Sequence, residues 1–293
     1  MTVAVIGATG TVGPCVVSSL HARGADVRVL TRDADRAKSM LPPGTEIRPV
    51  DIGDHDEVVA ACTGMASVLL LTSHAHDMTD LQLRIIRALR RLDVKIVKIS
   101  GTSSAINPDG PYTLRQHWEV ETVLRASGQP HVNLRPNAFM QTLIGQIMLP
   151  AVRATGTVPN AIAAAGISFV DARDIGDSAA VTLTTDTWDG QTLVLTGPRP
   201  VTYAELAAII GRQSGRPVEI KEITPADVRA MMTARGTPQW EAEHFEEMYE
   251  MFRRGESEFV SDDVERITGH PPRDVEAYLS ETLSDLNDQA VPS

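Results

Sequence analysis

A chain of 293 residues with 42% hydrophobic residues can bury one large core or two domains, and its longest apolar runs are far too short to cross a bilayer. The formal net charge of −11 lacks the clustered positive charge that a nucleic-acid footprint requires. The two cysteines, Cys15 and Cys62, fall in predicted helices, where a small apolar role is expected rather than a disulfide. No signal-peptide pattern precedes the first strand, so a cytoplasmic protein is expected.

Val3 to Ile6 is a short β-branched run that reads as a buried parallel strand, and a helix is predicted from Val12 to Ala22. Between them lies Gly7-Ala8-Thr9-Gly10-Thr11-Val12-Gly13. Its Gly-x-x-Gly-x-x-Gly spacing is one residue wider at the start than the dinucleotide fingerprint. Gly7 permits the tight turn, Gly10 lets a pyrophosphate approach the backbone, and Gly13 lets the helix pack on the strand. Free N–H groups at the helix start then hold the anion, which makes Gly7, Thr9, Gly10, Thr11, Val12 and Gly13 a candidate phosphate cradle.

Further strands are expected at Asp26 to Leu30, Glu46 to Val50, Ser67 to Leu71, Lys95 to Ser100 and His131 to Leu134. Helices are expected at Asp77 to Asp93, with Leu81, Ile85, Leu89 and Leu92 on one face, and near Thr113 to Ala126. This alternation predicts an α/β, Rossmann-type doubly wound parallel sheet with its ligand edge at the strand C-terminal ends. The second half predicts a helix at Met140 to Pro150, a Pro/Gly-marked loop at Ala151 to Gly166, a helix after Asp171-Ala172-Arg173-Asp174 and a last strand at Leu193 to Leu195. From Gly197 onward a smaller, mostly helical lobe is expected. Its best helix runs from Gln239 to Arg254 and carries Phe245, Met248, Tyr249 and Phe252 at helical spacing, for a lobe core or a planar substrate. The expected division is a dinucleotide-binding domain of residues 1–150 and 167–196, and a substrate-side lobe of residues 151–166 and 197–293.

At the end of the second strand an NAD enzyme places Asp or Glu against the ribose 2′-hydroxyl. Thr31 and Arg32 stand there instead, with Arg36 one helical turn on, and a guanidinium suits a 2′-phosphate. The reading is NADP in preference to NAD; the alternative is a solvated Arg32 neutralised by Asp33. Asp51 and Ile52 follow the third strand at a position suited to the adenine edge. Leu71, Thr72 and Ser73 end the fourth strand, where the central ribose passes. His74 and His76 follow as pocket-mouth histidines that suit substrate contact; no third ligand is evident for a metal, and none is expected.

The chain resembles the NmrA-like members of the atypical short-chain dehydrogenase/reductase superfamily. The matching residues are Gly7 to Gly13, Leu30-Thr31-Arg32, Ile99-Ser100-Gly101-Thr102, Ser127-Gly128, Asn133 to Met140, Phe169 to Ile175, Thr196-Gly197-Pro198 and Thr202 to Leu206. The resemblance implies a nicotinamide against Pro136, Asn137 and Phe139, with Phe139 and Met140 toward the substrate. Reductases of this superfamily use a Ser/Thr, a Tyr and a Lys four residues after the Tyr. By register with Glu121, the Lys position is His117 and the Tyr position is Thr113, while Tyr112 falls one residue early and Thr102 takes the Ser/Thr place.

The usual proton-donating pair is therefore absent. His117, on a stripe with Thr113, Val120 and Leu124, is expected to face the crevice and hold the ribose or move a proton; the alternative is a structural histidine paired with Glu121. Tyr112 remains a candidate donor if the loop Asn107 to Pro111 turns it inward. The resemblance implies an NADP(H)-dependent oxidoreductase similar to quinone and azo reductases, acting on a small planar molecule, with a homodimer as its candidate assembly and with no nucleic-acid or membrane partner. Two alternatives stand beside it: an NADP-sensing regulator without turnover, and a secondary-metabolite tailoring reductase, isomerase or cyclase.

Overall fold

The computed structural model describes residues 1–288. Along the chain run β1 (Thr2–Ile6), α1 (Gly13–Ala22), β2 (Asp26–Thr31), α2 (Ala34–Met40), β3 (Glu46–Pro49) and α3 (His55–Cys62). There follow β4 (Ser67–Leu70), α4 (Met78–Leu89), β5 (Lys95–Ile99), α5 (Tyr112–Ala126) and β6 (His131–Pro136). A π-helix at Met140–Met148 leads into α6 (Leu149–Thr155), β7 (Thr157–Asn160), β8 (Gly166–Ile167), α7 (Ala172–Thr184) and β9 (Thr192–Leu195). The last elements are β10 (Val201–Thr202), α8 (Tyr203–Ser214), β11 (Glu219–Glu222), α9 (Pro225–Ala234), α10 (Gln239–Arg253), α11 (Asp263–Thr268) and α12 (Val275–Asp288).

The described residues form two compact units. The first comprises Met1–Pro136, Ala172–Leu195 and Asp263–His270. Its seven-stranded sheet has the order β3-β2-β1-β4-β5-β6-β9, and every pairing is parallel. Val3 to Ile6, Val68 to Leu70 and Ile96, Val97 and Ile99 are buried, as strands covered on both faces must be. On one face Ile6, Leu30, Leu70 and Ile96 join Val58, Ile85, Leu89, Val120 and Leu124 in a single apolar cluster. Asp263 holds α11 to this unit by accepting from the Val194 N–H at 2.7 Å.

The second unit comprises Asn137–Asp171, Thr196–Asp262 and the described residues from Pro271. Its boundary falls after Pro136, so residues 137–150 and 167–171 group with it, while 263–270 return to the first unit. Helices α8 and α9 start with complete capping boxes, Thr202 with Glu205 and Thr224 with Asp227.

Two expectations are corrected here. Ala151 to Gly166 is not a loop: it holds most of α6, then β7, which pairs in parallel with β11, and it ends at Gly166, the first residue of β8. Small residues and Pro159 hid β7, whose partner is some sixty residues away and whose buried residues are only Val158 and Asn160. The helix predicted from Met140 is wound as a π-helix over most of its length, with the Tyr278 hydroxyl against Gly145, where a Cβ would stand 2.5 Å from it.

Candidate active site

In the sheet the chain runs outward from β1 through β2 to β3, then returns across β1 to β4 and runs outward the other way. The order thus reverses between β1 and β4 and opens a crevice beyond the strand ends. Gly7 turns the chain there at φ +86°, and a Cβ on it would overlap the Leu71 carbonyl oxygen. A Cβ on Gly13 would overlap the Gly7 and Ala8 backbone. Gly10 differs: the nearest atom to a Cβ would be Gly7 O at 3.6 Å, an ordinary contact, so no packing inside the protein demands glycine at this exposed position. The start of α1 has no side-chain cap, whereas Asp33 and Asp54 cap α2 and α3.

The crevice has a volume of about 480 Å³, and the predicted residues Gly7, Thr9, Thr31, Arg32, Asp51, Ile52, Leu71, Thr72 and Ser73 line it. Gly10, Thr11, Val12 and Gly13 continue the turn from Thr9 into α1. Arg36 reaches back to the same turn, its Nη2 donating to Thr9 O at 3.3 Å. Among the described residues no carboxylate pairs with Arg32; Asp33 instead accepts from the Arg36 backbone N–H at 3.0 Å. Arg84, which sequence reasoning missed, also lines the crevice. It lies on the polar side of α4, where nothing in the sequence separates it from a solvated residue.

The loop after β4 is tied to α5. The Tyr112 hydroxyl donates to His76 O at 2.9 Å, and the two rings stack with centroids 5.5 Å apart. Gln116 Nε2 donates to the same carbonyl at 3.0 Å. His74 and His76 are exposed in this loop, next to crevice residues Ser73, Ala75 and Asp77.

A buried polar cluster lies where β5, β6 and α5 meet. His117 is 5% exposed and Thr102 4%, and Gly101 lets the Leu114 side chain and the His117 ring come against the end of β5. The Lys98 Nζ donates to Ser100 Oγ and is in hydrogen-bond contact with His117 Nδ1, both at 2.8 Å. The Glu121 carboxylate is fully buried; Arg135 binds both of its oxygens, at 3.1 and 2.6 Å, and Arg125 donates to Oε2 at 3.1 Å. Burial opposes its charge, yet hydrogen bonding and charge from Arg135, the charge of Lys98 and a hydrogen bond from Ser100 hold the carboxyl below its ordinary range. Burial lowers the Lys98 pKa to about 7, with the Glu121 charge opposing the fall and Arg135 adding to it. Lys98 and Arg135 were not among the predicted site residues. Their signal was a charged residue inside a strand whose neighbouring residues are mostly apolar.

In the second unit Phe139 is half-buried and Met140 fully buried. The Asn137 amide donates to Ser168 O and Ser257 O at 3.1 and 3.0 Å. An apolar pocket of about 190 Å³ is lined by Leu143, Met148, Met231, Met232, Phe245 and Tyr249, among others. Of the predicted aromatic stripe, Phe245 and Tyr249 line this pocket, while Phe252 packs edge-on against Tyr249 at 5.9 Å. Burial raises the pKa of Tyr249 and of its hydrogen-bonded partner Tyr203, so both stay protonated.

No helix among the described residues is long and apolar enough to cross a membrane. Residues 1–279 match the NmrA-like family. The NAD(P)H azoreductase of Xenophilus azovorans is 30% identical over 271 residues, 92% of this chain and 93% of that protein. The structure of the NADPH-dependent quinone oxidoreductase of Escherichia coli complexed with NADPH has the same fold, with a TM-score of 0.86 at 24% identity over 97% of this chain and 99% of that one. The triphenylmethane reductase of Citrobacter sp. complexed with NADP(H) gives a TM-score of 0.83 at 22% identity, covering 96% and 100%. The seven-stranded parallel sheet, the glycine turn at its centre and a match over nearly the whole length agree, and the chain belongs to the NmrA-like family.

Proposed function

We propose that this protein is a cytoplasmic NADPH-dependent reductase of a planar, conjugated small molecule such as a quinone or an azo compound. The observation that carries this reading is the crevice at the centre of the sheet, with an open approach at Gly10 and two guanidiniums, Arg32 and Arg36, that pair with no carboxylate among the described residues. That donor set fits an NADP-type dinucleotide: N–H groups at the uncapped start of α1 for the pyrophosphate, Arg32 and Arg36 for the 2′-phosphate. Asp51 and Ile52 suit the adenine edge, and Leu71, Thr72 and Ser73 the central ribose. The naming of the relatives as azo, quinone and triphenylmethane reductases supports the same chemistry.

In this reading the first unit binds the cofactor and the second is the substrate-side unit, its apolar pocket offering a dry surface to a planar group. NADPH supplies the hydride when bound. His117 and Thr102 flank the reacting centre, with Pro136, Asn137 and Phe139 against the nicotinamide and His74 and His76 at the mouth. Tyr112 braces the loop, because its hydroxyl already donates to the His76 carbonyl; the proton is left to His117. Asn137 likewise holds backbone through its amide, and Met140 is core.

A quinone-type acceptor needs no Tyr–Lys pair, since its reduced form takes a proton readily. Incubation with NADPH and a panel of quinones and azo dyes, followed by the loss of NADPH absorbance, tests this. Turnover with NADPH well above that with NADH is expected. Tight NADPH binding without oxidation by any acceptor refutes the enzyme and leaves the regulator.

A further inference from the structure

Lys98 is fully buried, and the proposed function does not use it. Its Nζ lies 2.8 Å from Ser100 Oγ and 2.8 Å from His117 Nδ1, and no carboxylate among the described residues forms an ion pair with it. The nearby carboxylate, Glu121, is already bound through both oxygens by Arg135 and also by Arg125. Glu121 and His117 face Lys98 from α5, Arg135 from β6 and Ser100 from its own strand; Asn133, its register partner on β6, is uncharged. A guanidinium does not deprotonate, so the positive charge this enclosed group can give up is the lysine's.

An ammonium can only donate, so while Lys98 is charged Nδ1 of His117 accepts from it and the ring's own proton is on Nε2. A neutral imidazole that gave away that single proton would become an anion in a buried place, at a high cost. We propose that Lys98 is the proton reserve behind His117: as Nε2–H breaks to form the O–H or N–H bond of the reduced acceptor, Nδ1 takes a proton from the Lys98 ammonium, leaving a neutral amine. The ring stays neutral throughout and one proton moves in net terms. Lys98 is thus a positioning residue acting through His117, and the inference rests on the reading that His117 faces the acceptor. The depressed lysine pKa makes this release accessible near neutrality. The reserve is full below about pH 7 and empties above it, so turnover falls as pH rises through that value.

The test combines nitrogen NMR of the lysine side chains in the cofactor-free protein with kinetics of Lys98→Met and Lys98→Arg. One lysine Nζ is expected to titrate near pH 7 and to vanish from the Lys98→Met spectrum. Lys98→Met is expected to bind NADPH as the wild type does, with an unchanged acceptor KM, a kcat lower on the order of 100-fold and no neutral-pH limb in its kcat profile. Lys98→Arg keeps the charge without a releasable proton and is expected to be as slow. If every lysine titrates in the ordinary range, or if Lys98→Arg restores kcat, the reserve is refuted. Should neither variant fold, the wild-type titration and kcat profile decide alone. A wild type that oxidises no NADPH with any acceptor overturns the reductase reading first, and the reserve with it.

Discussion

Replacing Glu121 with Gln keeps the shape of the side chain and removes the charge that neutralises Arg135. The carboxylate is fully buried and bound through both oxygens, so the change leaves a guanidinium, itself mostly buried, facing an amide. Breaking one side of such a pair costs about 3–5 kcal/mol, because the surviving charge loses its partner and stays desolvated. Arg125, with 43% of its side chain exposed, adds little to that figure. For a chain of this size the loss corresponds to a melting temperature lower on the order of 10 °C. The pH dependence has a definite sign. The Glu121 pKa is held below its ordinary value, so its contribution is fully present above the unfolded-state pKa and is lost as pH falls through the folded-state one. Wild type and Glu121→Gln should therefore converge in stability on acidification. Adding Arg135→Met to Glu121→Gln is expected to recover part of the loss, as removal of a whole buried pair is tolerated better than half of it. The same substitution removes the charge that opposes the fall in the Lys98 pKa, so the lysine resonance should move to lower pH. Denaturant unfolding of the three proteins at neutral and acid pH is the assay. A Glu121→Gln loss below about 1 kcal/mol would show that the cluster is open to water and refute the reasoning.

Two further substitutions test the crevice. Arg32→Ala is expected to weaken NADPH binding about ten- to hundredfold while leaving NADH unchanged, since a charge-assisted hydrogen bond contributes roughly 1.5–3 kcal/mol. Equal losses for both cofactors in a titration would remove the 2′-phosphate assignment. Gly10→Val should leave the melting temperature intact, because a Cβ there meets no atom closer than 3.6 Å, yet abolish NADPH binding by filling the approach. A folded Gly10→Val protein that still binds NADPH would show the turn to be structural only.

The sheet was legible because its signals are local. Short, mostly apolar strands such as Val3 to Ile6 or Ile96 to Ile99 read as parallel strands buried on both faces, and a Gly-rich turn after the first of them fixes where the crossover begins. The stretch Ala151 to Gly166 defeated the same reasoning: β7 is a strand only because β11 lies beside it, and four residues containing Pro159 carry no periodicity of their own. The return of Asp263–His270 to the first unit is equally non-local, resting on contacts such as Asp263 with the Val194 N–H.

At the candidate site the same division holds, with one instructive exception. Residues at strand ends were found because the parallel topology puts all such ends on one edge, whatever the side chains. Lys98 needed one more step. Ile96, Lys98 and Ser100 share a face of β5, and Ile96 belongs to the apolar cluster with Val120 and Leu124 of α5. Two residues along the strand, the helix positions facing that side become His117 and Glu121, so a lysine there meets a histidine by periodicity alone. The overall charge of −11 also misleads at this edge, since it is a sum over the surface. Arg32, Arg36 and Arg84 stand at the crevice without carboxylate partners among the described residues, and Lys98 adds a cation beyond what Glu121 neutralises. A polyanionic dinucleotide responds to that local field, which the net charge of the chain does not describe.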